Sequence, residues 1–182
     1  EAETAELMLN LGDGPFELGP EGSGARFVDV VSNPAGLTFT DVDLDGDLDL
    51  WVVHNEEPGL IPIQDRLLIG DGTGGFADTT TDAGLETTDW HYIYDLNEAL
   101  SHSWGWGSAA CDLNADGQPE LLAASYGRAP NHLWQAEEGA SFVNASLDSG
   151  YAFDDRNDWT DNLNAQCYCR DNPDAADCNT CP

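Results

Sequence analysis

The sequence predicts an all-β protein assembled from repeated units. Around Asp47 to Val53 the side chains alternate. Leu48, Leu50 and Val52 fall on one face and Asp49, Trp51 and Val53 on the other, the period of a strand buried at its far end. An acidic loop flanked by apolar residues occurs twice: Phe39-Thr40-Asp41-Val42-Asp43-Leu44-Asp45-Gly46-Asp47-Leu48-Asp49-Leu50-Trp51 returns as Ala110-Cys111-Asp112-Leu113-Asn114-Ala115-Asp116-Gly117-Gln118-Pro119-Glu120-Leu121-Leu122, 71 residues later. A short apolar strand, a glycine turn and a phenylalanine also recur, as Leu9 to Phe16, as Leu67 to Phe76, and as His132-Leu133-Trp134 leading to Ser141-Phe142. Self-similarity at this period marks units that cannot bury their own face and must stack on neighbours.

Taken in order, the elements begin with an apolar strand at Leu7 to Leu11, which either adds to a neighbouring subunit or pairs within its own chain. The strand after the first acidic loop follows, and then the Leu67 to Phe76 hairpin, whose glycines supply the positive φ of a tight reversal. Gly105 to Cys111 and Leu121 to Tyr126 read as strands around the second loop. Helix is limited to a turn or two, at Thr80 to Leu85 and at Leu96 to Leu100.

The chain has 182 residues, enough for one domain or a few units of a repeat array. It carries 35 acidic residues against 5 basic ones, all arginine, for a net charge of −30. Nucleic acid is excluded as a partner, because phosphate binding needs a Lys/Arg footprint. An anionic membrane surface is disfavoured for the same reason, and no apolar run is long enough to span a bilayer. A chain this acidic needs a counter-charge to stay compact, and a bound cation supplies one. It begins at Glu1 with no basic and apolar leader, so it reads as a processed mature chain or a fragment.

The two loops carry the chemistry. Asp41 to Asp49 places five carboxylates in nine residues. Two such charges about 4 Å apart repel by about 4 kcal/mol at an effective dielectric near 20, so a fold that gathers them needs a cation between them. Calcium fits, since it takes six to eight oxygen ligands from alternate residues of a loop that turns at a glycine. The expected ligands are the side chains of Asp41, Asp43, Asp45 and Asp49 with the carbonyl of Asp47. In the second loop they are Asp112, Asn114, Asp116 and Glu120 with the carbonyl of Gln118. That loop has fewer carboxylates and is expected to bind more weakly. An EF-hand would require Glu at position twelve, where Val52 and Ala123 stand, so helical calcium modules are rejected.

These residues resemble the FG-GAP or VCBS-type repeats of integrin-α-like β-propellers. The resemblance is carried by Asp41-Val42-Asp43-Leu44-Asp45-Gly46-Asp47-Leu48-Asp49-Leu50, Arg66-Leu67-Leu68-Ile69-Gly70-Asp71-Gly72, Gly105-Trp106-Gly107 and Asn131-His132-Leu133-Trp134. It implies calcium held in β-hairpins that act as blades, in secreted or cell-surface proteins used for adhesion, sugar binding or scaffolding. It covers residues 1–155 as about two and a half units. Four to eight blades close a propeller, so these are too few for a closed monomeric one. Open sheet edges are then expected at both ends, suited to a ring or a filament of copies.

Residues 156–182 form a separate cysteine-rich segment. Cys167, Cys169, Cys178 and Cys181 suit two local disulfides in any of three connectivities, or a tetrahedral zinc site. Cys111 is left over, as a buried inert thiol or an intermolecular bridge. The densest aromatic cluster, Trp90, His91, Tyr92, Trp104 and Trp106 with His102, is either a sugar-binding face or part of the core. Asn144-Ala145-Ser146 is a candidate N-glycosylation triplet, and Thr79 to Thr81 a candidate O-glycosylation patch. No HExxH, GxSxG or phosphate-cradling loop is present, so the chain is not expected to be an enzyme. The expectation is a secreted, extracellular, non-catalytic calcium-binding protein with a structural or adhesive role, self-associating. The rival is a calcium-supported module for glycans or cell-surface proteins centred on the Trp90 to Trp106 region.

Overall fold

The structure is a computed structural model and describes residues 6–12, 14–25, 34–55, 62–89, 98–126, 129–153, 167, 169–171 and 173–174. It is all-β, with three antiparallel sheets and no closed barrel among the described residues. A hairpin of β1 (Met8–Leu9) and β2 (Glu17–Leu18) comes first. A four-stranded meander follows: β3 (Pro34–Thr40), β4 (Asp49–His54), β5 (Arg66–Gly70) and β6 (Phe76–Asp78). A second meander repeats it with β7 (Gly105–Cys111), β8 (Glu120–Ser125), β9 (His132–Glu137) and β10 (Ser141–Asn144).

The repetition extends to the register. β3 pairs with β4 through a bulge at Pro34/Gly36, and β7 pairs with β8 through a bulge at Gly105/Gly107, each 71 residues on. Met8 pairs with Leu18 as Leu68 pairs with Asp78, so the first hairpin has the register of β5 and β6. It corresponds to the outer two strands of a meander. The β5–β6 turn is set by its own side chains: the Asp71 carboxylate accepts the amides of Thr73 at 2.8 Å and Gly75 at 2.9 Å. Those donors, with the Thr73 hydroxyl, hold the Asp71 carboxyl below its usual range.

The alternation in β4 becomes two cores. Trp51 and Val53 join Leu67, Leu121, Ala123, Trp134, Ala136 and Phe142 between the two meanders. Leu50 and Val52 join Leu68 and Ala25 on the opposite face, with Phe76 packed against them. Each large apolar side chain buried this way contributes about 1.5 to 3 kcal/mol. The meanders approach closest along β3 and β7. There Thr38 Oγ1 lies 2.7 Å from Ser108 Oγ, and a Cβ on Gly36 would stand 2.5 Å from the Ser108 nitrogen.

The segment after each hairpin laces onto the outermost strand of the next sheet. Phe76 donates its amide to the carbonyl of Ser23 at 2.6 Å, and Phe142 donates to the carbonyl of Ala83 at 2.8 Å. The residues after the two acceptors are Gly24 and Gly84, at φ 79° and 78°. Gly24 could carry no side chain, because its Cβ would meet the Phe76 oxygen at 1.9 Å.

Of its two expected arrangements the N-terminal strand takes the one within its own chain, pairing with β2, because the Gly12 turn folds it back. Other expectations are corrected. Thr80 to Gly84 and Glu98 to Ala99 form turns instead of helix: Asp78 draws Thr80 into a side-chain turn and Gly84 reverses the chain. Leu96 lies outside the described residues. Cys167 is a free, exposed thiol, so the four terminal cysteines do not all pair. Cys167 and Cys169 both have helical backbone, where side chains two residues apart point in nearly opposite directions, so the two thiols face different surroundings. Cys169 is disulfide-bonded, and Cys178 and Cys181 lie outside the described residues. Cys111 is also free, and exposed where a buried thiol was one expectation, because the end of β7 leaves the sheet toward the second loop.

Candidate metal centre

The first acidic loop closes the turn between β3 and β4. Leu44 at φ 62° and Gly46 at φ 94° reverse the chain twice within a few residues and turn the carboxylates inward. Asp41 accepts the amides of Asp45 and Gly46 through its two oxygens, both at 3.1 Å, and Asp43 accepts the Asp45 amide at 3.2 Å. Asp45 is itself turned to the Asp47 amide at 2.8 Å. Asp49 is buried at the foot of the loop, where it accepts Val42 N–H at 2.8 Å and Gly70 N–H at 2.9 Å.

Asp41, Asp43 and Asp49 bring one carboxylate oxygen each within 4.8 Å of one another. Burial pushes the Asp49 carboxyl above its usual range; the Val42 and Gly70 amides oppose this, and the charges of Asp43 and Asp41 add to it. No described ion pair reaches the loop: Arg66 engages Asp78 at 3.5 Å and Arg170 engages Asp171 at 3.1 Å. Three converging carboxylates, one of them buried, form a hard-oxygen donor set suited to a divalent cation. The side chains of Asp45 and Asp47 are not in that group. Asp47 lies instead against Gly72, in a groove of about 310 Å³ between the loop and the β5–β6 turn.

The second loop copies the backbone and changes the chemistry. Ala115 and Gly117 take φ 62° and 93°, and Asp112 accepts the amides of Asp116 and Gly117 at 3.1 and 2.9 Å. Glu120 accepts Leu113 N–H at 2.7 Å, the bond that Asp49 makes to Val42. Asn114, however, takes the Asp116 amide on its oxygen and donates its amide group to Asp116 at 2.9 Å and to Glu120 at 3.1 Å. The Asn114 NH₂ thus sits between two carboxylates, as a cation would. Gln118 donates its amide to Asp116 at 2.8 Å. Among the described residues only the first loop gathers three acidic ligands.

The aromatic cluster is divided. Trp90, His91 and Tyr92 lie outside the described residues. Trp104 is buried and does not contribute to a surface. Trp106 is 64% exposed, with its ring 5.7 Å from that of Tyr126, itself 66% exposed. Asn144, the candidate glycosylation residue, has its amide engaged: Nδ2 donates to the Ala99 carbonyl at 2.8 Å and Oδ1 accepts Ser146 N–H at 3.0 Å. It serves as a turn residue, as Asp78 does for Thr80 in the first meander.

Two polar networks went unseen in the sequence. Gln64 donates to the Leu85 carbonyl at 3.0 Å and accepts Thr87 N–H at 2.8 Å, while Thr87 meets His102 Nδ1 at 2.5 Å and Asp89 faces His102 Nε2 at 3.4 Å. Asp65 is buried and accepts the His54 amide at 2.7 Å; burial pushes its carboxyl up to about 8. Neither has a local spacing signal, since each is assembled across loops. No protein-family model and no curated protein sequence matches the chain.

Proposed function

We propose that the protein is a secreted, non-catalytic calcium-binding repeat protein with a structural or adhesive role, exerted by self-association outside the cell. Its sheets are read as FG-GAP-like blades, too few to close a propeller within one chain. The observation that supports this reading best is the convergence of Asp41, Asp43 and Asp49, with Asp49 buried and no described arginine beside them. Calcium bound there would offset the repulsion and fix the β3–β4 turn against β5, because Asp49 also holds Gly70. The role is structural: the ligands tie the loop to the strands that carry the core.

The test is calorimetry and electron microscopy of the protein in calcium and in excess chelator. The expected result is calcium binding that raises the thermal midpoint, with ordered assemblies lost on chelation. An unchanged midpoint in chelator would remove the calcium reading.

A second reading has one observation in its favour. The exposed Trp106 and Tyr126 rings offer an apolar stacking surface of the kind that sugars use. A glycan-array signal lost in Trp106→Ala would support a carbohydrate-binding module instead, and an array without hits would dismiss it.

A further inference from the structure

We infer that copies of this chain dock head to tail, the β1–β2 hairpin of one copy occupying the outer face of the β7–β10 sheet of the next with Phe16 at its centre. This rests on the self-association reading above and names the two surfaces involved.

The chain contains the same joint twice. In each, a phenylalanine within the first two residues of an outermost strand donates its amide to the carbonyl of the preceding lacing segment: Phe76 to Ser23, and Phe142 to Ala83. The next residue of that segment is a glycine at φ 79° or 78°, Gly24 or Gly84, and the one after it, Ala25 or Leu85, is buried in the joint. In the second joint Phe142, 4% exposed, packs with Trp51, Val53, Leu67 and Leu85.

Among the described residues, each half of a third joint is present without its counterpart. The lacing segment after β10 repeats the motif as Ser149-Gly150, with Gly150 at φ 77°. Here no atom of the described residues lies within 4 Å of a Cβ on the glycine, where at Gly84 the Phe142 oxygen stands at 2.9 Å. The homology of position extends upstream, because Ser146 caps Leu133 N–H at 3.0 Å just as Thr80 caps Leu67 N–H at 3.0 Å. The face beside it carries Leu122, half-buried, Ala124 and Leu133, already buried, at the positions of Trp51, Val53 and Leu67. Ala124 there is exposed, whereas Val53 is fully buried.

The opposite half lies on the first hairpin. Phe16 stands 60 residues before Phe76, and the pairing of Met8 with Leu18 matches that of Leu68 with Asp78. Met8, Phe16 and Leu18 are 50%, 60% and 53% exposed. Leu7 and Leu9 point the other way, toward Gly74 of the first meander. Met8, Phe16 and Leu18 therefore occupy the face that, in the two meanders, lies against the preceding unit. In the docked pair Phe16 N–H donates to the Ser149 carbonyl and the Phe16 ring lies over Ala124 and the uncovered part of Leu122. The contact is heterologous, so it propagates into a ring or a filament.

Sedimentation velocity in calcium, from micromolar to millimolar protein, tests this with Phe16→Glu on one face and Ala124→Glu on the other. Both sites are exposed, and unchanged circular dichroism verifies each fold. The wild type is expected to assemble with concentration, each variant alone to stay monomeric, and their mixture to form dimers and nothing larger, because one intact joint remains between them. A wild type monomeric at all concentrations, or variants that assemble like it, overturns the inference and leaves these faces to a different unit, protein or glycan. A mixture that stays monomeric overturns the head-to-tail geometry. The calcium reading is scored separately by the thermal midpoint of the monomeric variants with and without chelator.

Discussion

The indole of Trp51 donates to the carbonyl of Leu122 at 3.0 Å, and Leu122 holds in the second meander the position that Trp51 holds in the first. One residue of the repeat thus reads the backbone of its own counterpart across the joint. Trp51 is fully buried in the core between the meanders, where the bond satisfies its only polar atom.

Trp51→Phe removes that bond and leaves the Leu122 carbonyl and part of the core unfilled. A destabilisation of about 2 to 4 kcal/mol is expected from the lost packing and the lost partner together. Urea unfolding with an unchanged m-value measures it, and a loss under about 0.5 kcal/mol would show that the joint is not tightly packed.

Gly36→Ala acts on the closest approach of the meanders. Its Cβ would stand 2.5 Å from the Ser108 nitrogen and 2.8 Å from the Gly107 carbonyl carbon, both backbone atoms. The two sheets must separate, at about 1 to 3 kcal/mol. Gly107→Ala is the control, since no atom lies within 4 Å of its Cβ. Thermal unfolding of the pair should separate them by several degrees; equal midpoints would contradict the close packing of β3 on β7.

Asp43→Asn removes one negative charge from the first loop and should weaken calcium binding by about tenfold or more, since a charge about 4 Å from its partner is worth about 4 kcal/mol at a dielectric near 20. Asp112→Asn, in the loop whose carboxylates already face the Asn114 amide, should change the total affinity less. Titration calorimetry ranks the two, and a reversed order would relocate the main site. Saturating the stronger site at about a hundred times its dissociation constant should stabilise the fold by about 2.7 kcal/mol.

Stability should depend on pH through three buried groups. The folded-state values of His54 and His132 are lowered to about 4, first by burial, so both are neutral in the fold and bind protons in the unfolded chain near pH 6.5. Their contribution is full above pH 6.5 and is lost as the pH falls toward 4. Asp65 runs the other way. Its folded value, raised to about 8, means that the fold holds a proton the unfolded chain releases near pH 3.8, so stability is lost as the pH rises from 3.8 to 8. Asp65→Asn keeps an acceptor for the His54 amide and should raise the thermal midpoint at pH 7 to 8 while leaving it unchanged below pH 4. A gain that does not vary with pH would assign the effect to packing.

The β class, the two acidic turns, the strands around them and the 71-residue repeat are all legible in the amino-acid order. Each of these is local: alternation at period two, a glycine at a fixed offset and an aspartate two or four residues from the amide it accepts are all written in consecutive residues. The first hairpin as half a unit was legible too, from Leu9 to Phe16 alone. The remaining features depend on residues far apart in the chain. Which carboxylates meet at Asp49, and that Asn114 places its amide where a cation would sit, follow from how the turn closes on β5 and β8. That Trp104 is interior while Trp106, two residues on, is exposed goes with the register shift at Gly105/Gly107, which depends on how β7 pairs with β8. The joint between units, with its phenylalanine amide on a segment 53 or 59 residues earlier, has no local spacing signal, because hydrogen bonding between distant strands is set by the core that brings them together.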